Sequence, residues 1–133
     1  MKSVQTSGKR KDAIARAVIK PGKGTVRINH MALEVYEPKM ARLKISEPLL
    51  IAGDYAGKVD IQVNVRGGGI MGQAEAARLA IARGLVQFTK DKNMEKEFLI
   101  YDRHLLVADV RQRESRKPNT HGNARGKVQK SYR

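Results

Sequence analysis

Gly67-Gly68-Gly69-Ile70-Met71-Gly72 matches the pattern G-x-G-x-x-G, with Asp91 about 20 residues further on. In a dinucleotide enzyme such glycines let the backbone approach a pyrophosphate, and the acid takes a ribose hydroxyl. Three features oppose that chemistry here. Only one strong strand-to-helix unit is visible, where a dinucleotide fold needs several in series. The strand ahead of the glycines alternates, whereas a central parallel strand is apolar on both faces. The 133 residues also leave little room for a substrate domain. Two other readings stay open. The glycines permit a tight turn, or Arg66 and the following helix N-terminus hold a nucleic-acid phosphate, because free backbone N–H groups and the helix dipole favour anions there.

The remaining reactive groups give less. Gly22-Lys23-Gly24-Thr25 is not a P-loop, because the hydroxyl residue does not follow the lysine directly. His30, His104 and His121 have no metal-ligand spacing and read as surface or hydrogen-bonding residues. Most of the acids sit near basic residues, as Asp12 does beside Lys11 and Glu75 near Arg78, and no isolated pair suggests acid–base catalysis. No nucleophile stands with a base at a recognisable spacing. Cysteine is absent, which excludes a disulfide scaffold, thiolate zinc and thiol catalysis. The expectation is therefore a protein without catalytic residues, metal or cofactor.

Charge is the stronger signal. There are 27 Lys+Arg against 13 Asp+Glu, a formal net charge of +14. Eight of the basic residues and one acid, Glu114, fall in residues 110–133, so that segment carries +7, half of the total. Its apolar members are Val110, Ala124, Val128 and Tyr132, without helical or strand period. Such a segment cannot bury enough surface to offset its ordering entropy, and it is expected to be disordered alone. The division is then a body over residues 1–109 and an extended basic tail over 110–133. Polycations of this kind engage polyanions, with nucleic acid the usual partner. The six aromatics do not gather on one strand, so phosphate contacts are favoured over base stacking. Tyr132, in the tail between Lys130 and Arg133, either stacks on a base or sugar or is simply exposed.

The elements that would position these residues form a short series. Val59 to Val65 alternates for seven residues and predicts a strand with one wet face. Pro21-Gly22-Lys23-Gly24 predicts a turn joining a strand over 12–20 to Thr25-Val26-Arg27-Ile28 in a hairpin. The spacing of Ala74, Ala77, Ile81, Leu85 and Phe88 predicts a helix over 73–90 with Glu75, Arg78 and Gln87 off its apolar stripe. Gly84, inside that helix, predicts a close approach to the sheet. Residues 38–43 and 47–52 read as two short helices, and 93–101 as another capped by Asn93. The hydrophobic share of 41% is enough for a core in a single domain of this length. No apolar run approaches a membrane span, and Met1 to Thr6 lacks the apolar stretch of a signal peptide. A soluble intracellular protein without membrane contact is expected.

Three separated motifs resemble the small-subunit ribosomal protein nine family. They are Gly8-Lys9-Arg10-Lys11-Asp12-Ala13-Ile14-Ala15-Arg16-Ala17 with Pro21 to Gly24 and Ile28-Asn29, then Gly67-Gly68-Gly69 with Gly72 to Leu85, and Asp109 to Pro118 with Gly122, Ala124-Arg125 and Ser131-Tyr132-Arg133. The order is the family's, and the match spans nearly the whole chain. The ending Lys130-Ser131-Tyr132-Arg133 resembles the archaeal and eukaryotic branch, and the short chain suggests archaeal type. Bacterial members usually end Ser-Lys-Arg, and Tyr132 departs from that pattern in the penultimate place, where those members have the contacting lysine.

The resemblance implies a small α+β fold, shared with the second domain of ribosomal protein five of the same subunit. That fold has a four-stranded sheet with helices on one face and a long basic C-terminal extension. It implies a structural constituent of the small-subunit head in the cytoplasm, beside neighbouring ribosomal proteins and on the 3′ major domain of the small-subunit rRNA. The tail would run towards the anticodon stem-loop of the P-site tRNA, with Arg133 as the contact and Lys130 and Tyr132 as helpers. The body is expected to dock through Lys9, Arg10, Lys11, Arg16 and Lys23 at one end of the sheet, with Arg66, Arg78 and Arg83 besides. Arg111, Arg113, Arg116, Lys117, Arg125 and Lys127 would grip rRNA along the tail. Two rival classes remain: a DNA-compacting or transcription-associated protein, and a nucleotide-dependent enzyme using the turn at 67–72.

Overall fold

Strict alternation decides which side of the sheet is dry. Along β2 (Ala13–Pro21), Ala13, Ala15, Ala17 and Ile19 are buried, and Ile14, Arg16 and Lys20 are exposed. Along β5 (Val59–Arg66), Val59, Ile61, Val63 and Val65 are buried, and Gln62, Asn64 and Arg66 are exposed. In a computed structural model, which describes residues 2–126, these two strands pair antiparallel at the middle of a sheet. β1 (Val4–Arg10) joins β2 antiparallel across a two-residue turn at Lys11 and Asp12. β3 (Val26–Ile28) lies parallel to β5 on its other side, and β4 (Met31–Ala32) pairs antiparallel with β3. The spatial order is β1-β2-β5-β3-β4.

The sheet thus has five strands where the family resemblance implies four; the fifth is the two-residue β4 at the edge. Met31-Ala32 is too short to carry a period, and its turn at Asn29 and His30 needs positive φ at both residues (50° and 68°). Asn tolerates that conformation better than most residues. The expected hairpin between β2 and β3 does not form, because β5 lies between them. The turn at 22–25 bridges over β5 instead. Gly22 N–H donates to Lys58 O, Ile61 N–H donates to Thr25 O, and the Asp60 carboxylate accepts from the Lys23 and Thr25 amides at 3.0 and 3.1 Å.

Three helices cover the dry face. α2 (Ile70–Thr89) lies directly on it and begins at Ile70, three residues ahead of the predicted start. The contact is built from small residues. A Cβ on Gly8 would meet Ala76 O at 2.4 Å, and one on Gly84 would meet Ile19 Cδ1 at 2.2 Å, so the close approach read from Gly84 is present. Ala13, Ala15, Ala17, Ala76, Ala77 and Ala80 line the rest of that interface, which is why β2 is alanine-rich without being helical. α1 (Lys39–Ala52) packs outside α2 as one continuous helix, with Pro48 buried inside it, where two short helices were expected. α3 (Lys92–Tyr101) is capped by Asp91, whose side chain accepts from Asn93 N–H, rather than by Asn93. Ile45, Ile61, Ile81, Leu85, Phe98 and Leu105 complete the core.

Leu105, in a short 3-10 turn over Arg103–Leu105, is the last core residue described. Beyond it, among the described residues, there is no further helix or strand. Residues 110–126 run exposed apart from Thr120 and Ala124, with one local turn in which Lys117 N–H donates to Asn123 O. No helix among the described residues is long and apolar enough to cross a membrane.

Candidate nucleic-acid interface

The face of the sheet turned away from the helices is cationic. Lys9, Arg16, Lys20, Arg27 and Arg66 stand on it, all exposed and drawn from β1, β2, β3 and β5. The five strands carry a single acid, Asp60. Its carboxylate is held below the usual range by the Thr25 and Lys23 amides, and those bonds commit it to the 22–25 turn. Among the described residues, no salt bridge engages any of these five cations. The register places Arg16 opposite both Ser7 and Asn64, and Ile14 opposite both Lys9 and Arg66. Lys20 and Arg27 were not singled out in the sequence. The alternation that buries Ile19, Val26 and Ile28 could have found them, since it turns their neighbours outward.

Lys9, Arg16 and Arg66 therefore share one surface, but the expected cluster at one end of the sheet is not what the strands produce. Lys11 sits in the β1–β2 turn and Lys23 in the turn beyond β2, so the whole of that strand separates them. Lys23 is exposed on the turn that Asp60 braces.

Arg10, Arg78 and Arg83 are engaged within the body. Arg10 lies on the helix side of β1, with Nε on Glu75 at 2.7 Å and Nη1 beside Asp109 at 3.2 Å. Glu75 also receives Lys44 Nζ at 2.9 Å. Burial pushes the Glu75 carboxyl up, but Lys44 and Arg10 outweigh it and hold the group below its ordinary value. Arg78 is buried, at 7% exposure, between Glu47 (2.7 Å) and Asp102 (3.0 Å). Its position off the apolar stripe does not expose it, because α1 and α3 cover the side of α2 that the sheet leaves open. Arg83 donates from Nε to Leu106 O and from Nη1 to Ser7 O.

These bonds tie the start of the tail to the body. Asp109 takes Arg111 through both its backbone amide and its guanidinium, and Arg10 from the other side. The Arg111 bonds, with Arg10 behind them, hold the Asp109 carboxyl far below the usual range. Further out, Arg125 pairs with Glu114. Arg113, Arg116 and Lys117 are exposed. Lys127, Lys130, Tyr132 and Arg133 lie outside the described residues.

The glycine turn serves the packing of the sheet end. Gly67 and Gly68 have φ of 77° and 66°, and a Cβ on Gly67 would stand 2.5 Å from Asp12 O. The described residues do not form a dinucleotide fold: β5, which feeds this turn, pairs antiparallel with β2, and only its contact with β3 is parallel. Gly69 faces open space, and no side chain caps α2 there. His30, His104 and His121 are exposed, and the described residues hold no group of His, Asp and Glu able to bind a metal.

Residues 8–133 match the family described as ribosomal protein S9/S16. The chain is also similar to the small ribosomal subunit protein uS9 of Methanothrix thermoacetophila, an archaeal protein, with 51% identity over 133 residues covering 100% of each chain.

Proposed function

The chain belongs to the ribosomal protein S9/S16 family, and from that membership we propose that it is a structural constituent of the small ribosomal subunit that binds rRNA. It is not an enzyme, and its place is the ribosome in the cytoplasm. The observation that carries the reading is full-length likeness to a small-subunit protein, joined to an acid-poor, cationic sheet face.

In this reading the body seats on the 3′ major domain of the small-subunit rRNA, in the subunit head among neighbouring ribosomal proteins. Lys9, Arg16 and Arg66 meet phosphates from the sheet face, and Lys11 and Lys23 from its two ends. Arg10, Arg78 and Arg83 support RNA binding from inside, by holding α1, α2 and the tail root in place. The tail enters rRNA clefts by counterion release and becomes ordered there. Arg111, Arg113, Arg116, Lys117, Arg125 and Lys127 are its phosphate contacts, and Arg suits them because its planar fork grips two oxygens. Lys130, Tyr132 and Arg133 lie nearest the anticodon stem-loop of the P-site tRNA.

Sedimentation tests the reading. The chain should travel with the small subunit through a sucrose gradient, and a DNA-compacting protein would not. With about six phosphates neutralised, log K for RNA should fall with log[salt] at a slope of about −4 to −5. A flat salt response would contradict it.

A further inference from the structure

Four residues form a square on the open face of the sheet. Ile14 pairs with Arg66 and Arg16 with Asn64, so the two arginines occupy one diagonal across β2 and β5. Ile14 and Asn64 occupy the other. All four line a depression of about 200 Å³. A second depression, towards β1, shares Arg16 and Asn64 and adds Gln5, Ser7 and Val18. Ile14 is 45% exposed, an apolar side chain set between Lys9 and Arg66 on a cationic face.

Charge alone does not account for this set. A surface built only to neutralise phosphates has no use for a bare isoleucine or for two amides beside it. Diagonal neighbours across a strand pair are about 7–8 Å apart, with their Cβ atoms somewhat closer, within reach of long side chains. Both arginine side chains are long enough to adjust, so their guanidinium planes can take one flat ring between them, which needs about 3.4 Å to each side, the axial rise per nucleotide of a stacked strand. Arg planes stack on unpaired bases, and an isoleucine floor supplies apolar contact beneath. The Asn64 and Gln5 amides each offer a donor and an acceptor to a base edge or a ribose hydroxyl. A paired helix cannot enter, since its bases are already stacked and hydrogen-bonded.

We infer that the Ile14–Arg16–Asn64–Arg66 square holds an unpaired nucleotide of the RNA, base inward, and that the adjoining depression over Gln5 and Ser7 takes the next nucleotide of the same strand. This rests on the rRNA reading above and adds which RNA element the face takes. The occupant is single-stranded RNA, favoured over a protein neighbour because the strands present five cations and one committed acid.

The test uses the full chain with two labelled probes, a ten-nucleotide oligouridylate and an RNA duplex with the same number of phosphates. Arg16→Lys keeps the charge and removes the planar fork; Asn64→Ala removes the amide. Both sites are exposed, and unchanged melting confirms the fold of each variant. Each substitution is expected to weaken oligouridylate binding by about fivefold or more, with duplex binding within twofold and an unchanged salt slope for Arg16→Lys. Equal effects on both probes, or none on either, overturn the inference and leave the rRNA reading standing. Failure of the unsubstituted chain to bind either RNA overturns both. Because the chain has no cysteine, Asn64→Cys can carry a single photo-crosslinker into assembled subunits. An adduct with rRNA supports the inference, and an adduct with another ribosomal protein refutes it.

Discussion

Arg10 and Asp109 meet at 3.2 Å, joining the end of the first strand to the residue at which the tail begins. Asp109 fastens the tail root to the body, because it holds Arg111 on its other side and its side chain is only 12% exposed. Asp109→Asn keeps the shape and removes the charge. Hydrogen exchange over residues 106–111 should quicken, RNA affinity should fall several-fold, and the melting temperature should drop modestly, because the depressed Asp109 carboxyl also stabilises the folded body. Unaltered exchange at the tail root would show that the pair does not set the tail's direction.

The alanine–glycine seam under α2 gives a ranked expectation. Gly8→Ala drives its new methyl into backbone, at Ala76 O and Ala80 N, which cannot rotate away. Gly84→Ala meets the end of the Ile19 side chain and gains helix propensity of about 1 kcal/mol. Overpacking typically costs about 1–3 kcal/mol, so Gly8→Ala should destabilise near the top of that range and Gly84→Ala by less. Urea denaturation of both variants reads the order directly.

Arg78→Met tests whether this arginine serves the fold. The substitution leaves Glu47 and Asp102 without their partner, but both are partly exposed and can be hydrated. The expected loss is about 1–3 kcal/mol, below that of a fully buried pair. The salt dependence of RNA binding should not change. A shallower slope would mean that Arg78 reaches phosphate.

Acid should weaken the body in a defined window. Glu75, Asp102 and Asp109 all have carboxyls depressed in the folded state; for Glu75 and Asp102, burial opposes the shift, and their cationic and N–H partners win. Unfolded carboxyls titrate at about 3.9 for Asp and 4.3 for Glu. The native state therefore binds fewer protons below that range. The stability these groups contribute is fully present above it and lost as pH falls through the folded values. Melting temperature should stay level down to about pH 5 and fall below about pH 4. Glu75→Gln should start lower at neutral pH and lose less on acidification.

The tail divides into two testable parts. Removing residues 110–133 should leave a body that melts in one cooperative transition, since the core closes at Leu105. Removing Ser131 to Arg133 should leave subunit assembly nearly intact and weaken P-site tRNA binding. Unchanged tRNA affinity would count against the role given to the tip.

Elements with a full internal period were readable from residues alone. Val59–Val65 declares itself by alternation, and Gly84 announces the close seam because glycine in a helix needs a reason. The strand over 12–20, whose alanines also suit a helix, is legible only through the turn after it, and it is a strand although the hairpin that argued for it does not form. The partner of β3 was not readable. The turn at 22–25 looks local, and only the remote Asp60 carboxylate shows that it spans another strand. Pro48 looked like the first turn of a second short helix, but α1 continues through it with the proline buried. Arg78 looked solvent-facing because a single helix period cannot report a second layer of helices behind it. The cationic face was half legible: Lys9, Arg16 and Arg66 stood out by charge, whereas Arg27, Lys20, Ile14 and Asn64 acquire meaning only from the strand register.

The insertion of β5 between β2 and β3 also governs how the chain can emerge from the machine that makes it. The β1–β2 ribbon can close as soon as it is synthesised, and β3 can meet β4, but the free edge of β2 and the inner edge of β3 have no partner until residues 59–66 have followed. For that interval the nascent polypeptide carries two raw strand edges at once, the condition under which chains adhere to one another. Lys20, Lys23 and Arg27 lie along this waiting stretch, the kind of charge placement that sets copies of an unpaired strand against one another.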